Sequence, residues 1–95
     1  MKQPCVYIIT NDRNGTLYIG VTSNLMKRIW EHKNQFIDGF SHSHQLTQLV
    51  YFETHQSMYQ AITREKQLKH WKREWKIQLI EQENPYWQDL WETLM

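Results

Sequence analysis

The segment of residues 18–32 constrains the fold more than any other part of the chain, because it passes from strand to helix within a few residues. It opens with the strand formers Tyr18-Ile19, and Gly20 then allows the backbone to bend or a ligand to come close. Ser23 or Asn24 can cap a helix that follows. We therefore predict a strand end, a tight turn and a helix start in quick succession.

One face of the predicted helix carries polar groups suited to phosphate. Asn24, Arg28 and His32 are spaced four residues apart and share that face. A guanidinium binds phosphate oxygens through a planar fork of donors. With the phenol of Tyr18 at the preceding strand end, these side chains form a candidate phosphate-binding site.

The composition limits the possible classes of protein. The 95 residues are enough for one domain, residues 1–95, with a single modest core. The chain has no apolar run long enough to span a membrane and no apolar signal segment. Its one cysteine, Cys5, cannot form an internal disulfide, which favours the reducing cytoplasm.

Charge is nearly balanced overall but unevenly placed. The formal net charge is +1 at pH 7, less than is usual for a protein that depends on non-specific DNA affinity. Basic residues nevertheless cluster in the segment 64–76, whereas the tail after Ile80 carries acidic residues without Lys or Arg. The local pattern is compatible with a polyanion partner. The candidate DNA-backbone contacts are Arg64, Lys66, Lys69, Lys72 and Arg73, with an ordinary solvated helix face as the alternative.

Hydrophobic patterning predicts an α+β fold, a three-stranded largely antiparallel sheet flanked by helices in the order β-β-α-β-α-α. Asn14-Gly15 predicts a hairpin turn because both residues tolerate positive φ. Residues 41–44 are expected to be loop, Asn84-Pro85 to stop the last long helix, and residues 85–91 to form a final turn or short helix. The predicted strands are Val6–Ile9, Thr16–Val21 and Leu46–Glu53, and the predicted helices run over Ser23–Gln35 and from Ser57 to about Glu83 with a bend near Trp71.

Glu65 interrupts the apolar stripe of the second helix. It lies three residues from both Ile62 and Leu68, so its carboxylate is expected to face inward. A buried charge without a partner costs several kcal/mol. Glu65 therefore needs a cation, either a metal ion or a basic side chain such as Arg28. The other members of the stripe are Met58, Ala61 and Trp71.

The ordered set of these residues resembles the GIY-YIG nuclease superfamily, in particular its small stand-alone bacterial members. The likeness covers roughly residues 4–90. It rests on Cys5-Val6-Tyr7, then ten residues, then Tyr18-Ile19-Gly20, followed by Arg28, His32, Glu65 and Asn84.

The resemblance implies hydrolysis of DNA phosphodiester bonds with one divalent cation, Mg²⁺ or Mn²⁺. On that basis Glu65 would hold the metal and Arg28 would neutralise charge on the scissile phosphate. Tyr7 and Tyr18 would position and deprotonate the attacking water. A tyrosine has a pKa of about 10 in model peptides, so the general base is the weakest part of this set.

Two further residues complete the implied site, and two positions depart from the family pattern. His32 would shuttle a proton or contact phosphate, and Asn84 would brace the site. Cys5-Val6 replaces the Gly-Ile of the first motif. Val21 stands where some members carry a lysine that helps to activate the nucleophile.

The expected function is a metal-dependent endonuclease acting on branched or damaged DNA in repair or recombination. One alternative is a nucleic-acid-binding module of the same fold with weak or no turnover, which Val21 and the low net charge favour. Another is an adaptor whose aromatic, acidic segment 87–95 docks a protein partner that supplies specificity. His42 and His44 are weighed as a zinc pair and, in preference, as phosphate contacts, and Trp71, Trp75, Trp87 and Trp91 as packing residues rather than base-stacking platforms.

Overall fold

A computed structural model describes residues 2–37 and 39–95 of the chain. The elements in chain order are β1 Cys5–Thr10, β2 Leu17–Thr22, α1 Leu25–Lys33, α2 Phe40–Ser43, β3 Gln48–Thr54, α3 Met58–His70, α4 Arg73–Glu83 and a 3₁₀ helix Leu90–Leu94.

The strands of the described residues form a three-stranded antiparallel sheet in the order β2-β1-β3. Every residue of β1 is buried, which confirms the central strand predicted from its unbroken run of strand formers. The register places Tyr7 opposite both Gly20 of β2 and Phe52 of β3. The α+β fold predicted from the sequence is therefore confirmed.

The two faces of β1 support separate clusters of buried side chains. Val6 and Ile8 face the helices α3 and α4, whereas Tyr7 and Ile9 face α1 and the 3₁₀ helix. The first cluster includes Ile19, Val50, Ala61, Leu68, Ile80 and Trp87, and the second includes Cys5, Leu25, Ile29, Leu46 and Leu49.

The hairpin between β1 and β2 forms where Asn14-Gly15 predicts it. Asn14 adopts a positive φ of 55°, and the strands end at Thr10 and begin again at Leu17. Gly15 is required by close approach, because a Cβ there would lie 2.1 Å from Oδ1 of Asn11. That oxygen accepts a hydrogen bond from the backbone N–H of Thr16, which holds the loop together.

The helix limits follow their capping residues. Asn24, not Ser23, caps α1 by accepting from the N–H of Lys27, and Ser57 caps α3 by accepting from the N–H of Gln60. The predicted bend near Trp71 is confirmed, since α3 ends at His70 and α4 begins at Arg73.

Two local expectations were wrong. Residues 40–43 form a helical turn rather than a loop, in which Phe40 packs 6.5 Å from Tyr18 and stacks 4.0 Å from His44 between ring centroids. Ile62 is exposed although it continues the apolar period of α3. Residues 85–86 form a turn, one of the two alternatives predicted for residues 85–91, and the short 3₁₀ helix follows over Leu90–Leu94. Within the described part of the chain, no helix has the length and apolar character needed to cross a membrane.

Candidate active site

Tyr7 and Gly20 form the base of the site. Strand pairing places them opposite each other, and a Cβ on residue 20 would lie 2.4 Å from both Cζ and Oη of Tyr7. Atoms cannot approach that closely, so the phenol of Tyr7 can lie over the strand only because residue 20 has no side chain.

His32 lies in the last turn of α1 and contacts Tyr7. Its Nε2 is 2.9 Å from Oη of Tyr7, and the imidazole is only 4% exposed. Burial, followed by the positive charge of Arg28, lowers the pKa of His32 to about 4. Among the described residues Nδ1 has no hydrogen-bond partner. The imidazole is therefore neutral at neutral pH.

Burial also raises the pKa of the Tyr7 phenol, and the neighbouring Tyr18 raises it further. The positive charge of Arg28 lowers this pKa, and the negative charges of Glu65 and Glu31 raise it. Tyr7 is therefore a neutral phenol at neutral pH, and it lies within electrostatic reach of both Arg28 and Glu65.

Tyr18 completes a cluster of three rings. Its ring centroid is 6.5 Å from that of Tyr7 and 5.9 Å from that of His32. Tyr18 is half-buried whereas Tyr7 is buried, so Tyr18 is the more accessible of the two phenols.

Arg28 lies one turn before His32 on α1. Its Nε is 3.6 Å from Oε1 of Glu31, in an i,i+3 pair. Arg28 and Glu31 line a shallow depression of about 200 Å³ beside the N-terminus of α1. The guanidinium is partly solvent-exposed, so an incoming phosphate can reach it.

Glu65 faces inward from α3, as the sequence predicted. Its side chain is 12% exposed, and Oε2 lies 2.7 Å from Nζ of Lys69. Arg28, the basic side chain weighed as its alternative partner, pairs with Glu31 instead. The helix α3 packs against β1 and β2, and the negative charge of Glu65 acts on the Tyr7 phenol from there.

Asn84 caps the C-terminus of α4 and is buried. Its Nδ2 donates to the carbonyl oxygens of Val50, at 3.1 Å, and Gln88, at 2.8 Å. Its Oδ1 accepts from the N–H of Gln88 at 2.9 Å. These bonds connect α4 to β3 and to the segment that follows α4, and the role of Asn84 in the site stays a prediction.

Arg64 and Arg73, two of the candidate DNA contacts, are held by the protein itself. Nε of Arg64 donates to Oε1 of Glu53 at 2.8 Å, and its guanidinium lies 5.1 Å from the Trp71 ring centroid. Nη2 of Arg73 donates to the carbonyl oxygens of the hairpin residues 14 and 15, at 2.8 and 2.6 Å.

Two of the three candidate lysines are also held by other side chains of the protein. Lys69 pairs with Glu65, and Nζ of Lys72 lies 5.5 Å from the Trp75 ring centroid. Lys66 is exposed, and it makes no hydrogen bond or ion pair within residues 2–37 and 39–95. Of the five basic residues, Lys66 is thus the most available to a phosphate.

A family model described as the GIY-YIG catalytic domain matches residues 3–78. The chain belongs to the GIY-YIG family. The matched residues include Tyr7, Tyr18, Arg28 and Glu65 but end before Asn84. The resemblance stated from the motifs is therefore confirmed, and GIY-YIG membership indicates nuclease activity in general terms.

Two relatives accompany this match. A segment of 31 residues is 58% identical to the "UPF0213 protein in VLF1-GP41 intergenic region" of Autographa californica nuclear polyhedrosis virus, and it covers 33% of this chain and 29% of that protein. The fold resembles the solution NMR structure of a UPF0213 protein from Bacillus halodurans, with a TM-score of 0.57, 24% identity and 92% of each chain covered. At that identity the second likeness concerns the fold alone.

The candidate site offers a hard cation the carboxylate of Glu65, which the family resemblance assigns to the metal. Among the described residues no group of three or more His, Cys, Asp or Glu side chains is arranged to hold a metal ion. Mg²⁺ commonly keeps several waters and takes phosphate oxygens as ligands. The mostly buried carboxylate of Glu65 is compatible with such binding, with water and substrate supplying the remaining ligands.

Two neighbours of this candidate site were not predicted from the sequence. Glu31 pairs with Arg28, and its i,i+3 spacing was a signal available from the sequence. Phe40 packs against Tyr18, and no local signal pointed to it, because this contact depends on how the chain returns to the sheet after α1.

Proposed function

We propose that the chain is a divalent-metal-dependent DNA endonuclease that hydrolyses phosphodiester bonds, with Glu65 holding Mg²⁺ or Mn²⁺. The observation that carries the proposal is the position of Tyr7. Its hydroxyl lies over Gly20, 2.9 Å from His32, and within electrostatic reach of both Arg28 and Glu65.

Each residue has a defined part in this proposal. Arg28 binds the non-bridging oxygens of the scissile phosphate and stabilises the charge that develops there. When bound, the metal supplies charge neutralisation and acidifies a coordinated water. Tyr18, the more exposed phenol, orients the attacking water.

The neutral Tyr7–His32 pair takes up the proton that the attacking water loses. Tyr7 accepts a proton from the attacking water at Oη while its own hydroxyl proton passes to Nε2 of His32. This transfer requires His32 in the tautomer with its proton on Nδ1. Since its pKa is about 4, His32 is uncharged at neutral pH, so Nε2 can accept the hydrogen bond from Tyr7, but it is a weak base, and the proton transfer to it depends on the positive charge that a bound metal would place on the attacking water.

The substrate that we propose is branched or damaged DNA, as encountered in repair or recombination. The decisive assay incubates plasmid, branched and single-stranded DNA with the purified chain, in Mg²⁺ and in EDTA. Cleavage is expected in Mg²⁺ alone and is expected to be lost in Glu65→Ala and Arg28→Ala.

Two matched control variants remove a carboxylate and a guanidinium outside the candidate site. Glu74→Ala removes an exposed carboxylate from α4, and Arg13→Ala removes an exposed guanidinium from the hairpin loop. Both are expected to cut like wild type. If Glu65→Ala and Arg28→Ala also cut like wild type, the assignment is wrong.

A nucleic-acid-binding module without turnover is the second candidate. Val21 at the position of an activating lysine and the raised pKa of Tyr7 favour it. It predicts salt-sensitive DNA binding that survives Glu65→Ala, with no product at any metal concentration.

A protein partner that supplies specificity is also part of the proposal. Trp87, the first residue of the segment expected to dock such a partner, is buried, and its Nε1 donates to Glu81. Trp87 therefore belongs to the core, and a partner could contact only later residues of that segment.

A further inference from the structure

We propose that α1 carries a groove beside the catalytic site that binds the bases of a single-stranded segment of the DNA substrate. This inference rests on the proposed nuclease function for its meaning, but the groove can be tested by binding alone.

The groove is apolar and open. It has a volume of about 360 Å³ and lies between α1 and the 3₁₀ helix, with Met26, Trp30 and Trp91 among its lining residues. Trp30 is 47% exposed, so a flat apolar ring faces solvent at this position. Large exposed apolar surfaces on small domains are commonly binding sites.

Aromatic rings extend this surface. The Phe36 ring lies 5.4 Å from the Trp30 ring between centroids, tilted by 39°, and Phe36 is 69% exposed. Nucleic-acid bases stack on such side chains with little dependence on sequence, since every base has a flat π face.

Charge complementarity identifies the occupant as a polyanion. Asn24 and Lys27 line both this groove and the neighbouring depression that contains Arg28. The depression also includes Lys2 and Glu31, so three cationic side chains accompany one carboxylate, which already pairs with Arg28. A DNA strand can place its phosphates against the basic side chains of the depression and its bases against the apolar side chains of the groove.

The bases must be unpaired to reach the groove. In a duplex the bases are stacked inside the helix, and extrusion of a base costs a few kcal/mol. A flap, gap or single-stranded arm presents its bases without that cost. The geometry thus favours a substrate with a single-stranded segment next to the scissile phosphate.

A second apolar groove, of about 390 Å³, does not adjoin the depression that contains Arg28. It is lined by Trp71, Trp75, Gln78, Leu79 and Gln82 and shares no lining residue with the Arg28 depression. Nζ of Lys72 lies over the Trp75 ring. Trp75 is 46% exposed, almost the same as Trp30, which makes it a matched control.

The test measures binding of a fluorescently labelled 15-nucleotide single-stranded DNA and of the matching duplex by anisotropy, in EDTA so that no cleavage occurs. Trp30→Ala is expected to weaken single-strand binding on the order of tenfold and to change duplex binding less than about twofold, the size expected for one lost base stack. Trp75→Ala should bind both DNAs like wild type. Circular dichroism and a thermal melt confirm that each variant is folded, and Trp30→Phe, which keeps an aromatic ring, should recover most of the affinity.

The outcomes separate this inference from the nuclease assignment. Selective loss of single-strand binding in Trp30→Ala supports the groove even if no variant cleaves DNA. Equal loss for both DNAs, no loss, or the same loss in Trp75→Ala overturns it even if Glu65-dependent cleavage is observed. A single-stranded RNA that binds more tightly than the DNA through Trp30, or sedimentation showing that Trp30→Ala dissociates a dimer, also overturns it.

Discussion

The hydroxyl of Tyr7 lies 2.9 Å from Nε2 of His32, and both side chains are buried. Burial raises the pKa of the phenol and lowers that of the imidazole to about 4. The two groups therefore share a hydrogen bond without net charge at neutral pH. A neutral pair of this kind can relay a proton. A phenolate can form on Tyr7 only with a positive charge nearby, because such a charge lowers the pKa of the phenol.

Removing the Tyr7 hydroxyl tests this relay. We expect Tyr7→Phe to lower the cleavage rate by about 10²-fold or more, in the range of general acid–base contributions. The variant should also unfold more easily by about 1–3 kcal/mol, because Nε2 of His32 is left buried without its partner. Plasmid nicking and urea denaturation measure the two effects.

Tyr51→Phe is the matched control. The Tyr51 hydroxyl is also on a buried tyrosine of the sheet, and it donates to Oε2 of Glu53 at 2.5 Å. We expect a comparable loss of stability with cleavage within about twofold of wild type. If both variants lose activity in proportion to their stability, Tyr7 has only a structural role.

Gly20→Ala tests the close contact beneath Tyr7. The added methyl group would lie 2.4 Å from the phenol, so the ring must move, at a cost of about 1–3 kcal/mol for overpacking. We expect cleavage to fall to near the Tyr7→Phe level. Gly15→Ala introduces a similar clash with Asn11 in the hairpin loop, and it should destabilise the protein without a specific loss of activity.

The sequence predicted the strands, the long helices and the inward position of Glu65, because each rests on local periodicity or capping. The helical turn Phe40–Ser43 could not be predicted in this way, since it depends on Phe40 packing against Tyr18. The hairpin at Asn14-Gly15 was predicted correctly, but the hydrogen bond by which the Asn11 side chain holds its loop depends on the folded loop conformation.

In the candidate site, too, local sequence patterns predicted some features, whereas others depend on the tertiary fold. The spacing of Arg28 and His32 placed them on one side of α1, but the direct contact of His32 with Tyr7 requires the tertiary fold. Likewise, the sequence could not show that Arg64 and Arg73 are engaged by Glu53 and by the hairpin carbonyls. Long-range partners of charged side chains are not encoded in local patterns.

The lowered pKa of His32 predicts a specific acid sensitivity. Its folded pKa of about 4 lies below the ordinary value of 6.5, so the unfolded state binds the proton first as pH falls. His32 therefore disfavours folding progressively between pH 6.5 and 4, by up to about 1.4 kcal/mol per pH unit, and has no such effect above pH 6.5. Tyr7, Tyr18, Arg28 and Glu31 are the titratable or charged groups near this imidazole.

His32→Gln isolates that contribution, because Gln does not titrate and can still hydrogen-bond to Tyr7. The free energy of unfolding, measured by urea denaturation from pH 4 to 8, should fall less steeply below pH 6.5 in the variant than in wild type. Parallel curves for the two proteins would show that His32 is not held neutral in the folded state.

The basic segment is expected to divide into structural and DNA-contacting residues. Arg73→Ala removes two hydrogen bonds to the hairpin carbonyls and should destabilise the fold by about 1 kcal/mol, with little effect on DNA affinity. Lys66→Ala should leave the melting temperature unchanged, weaken DNA binding regardless of sequence, and reduce the slope of log K against log salt by about 1. Thermal melts and binding titrations in EDTA at several salt concentrations measure both variants. The opposite pattern, with Arg73→Ala binding weakly and Lys66→Ala binding normally, would mean that Arg73 leaves the hairpin to contact phosphate.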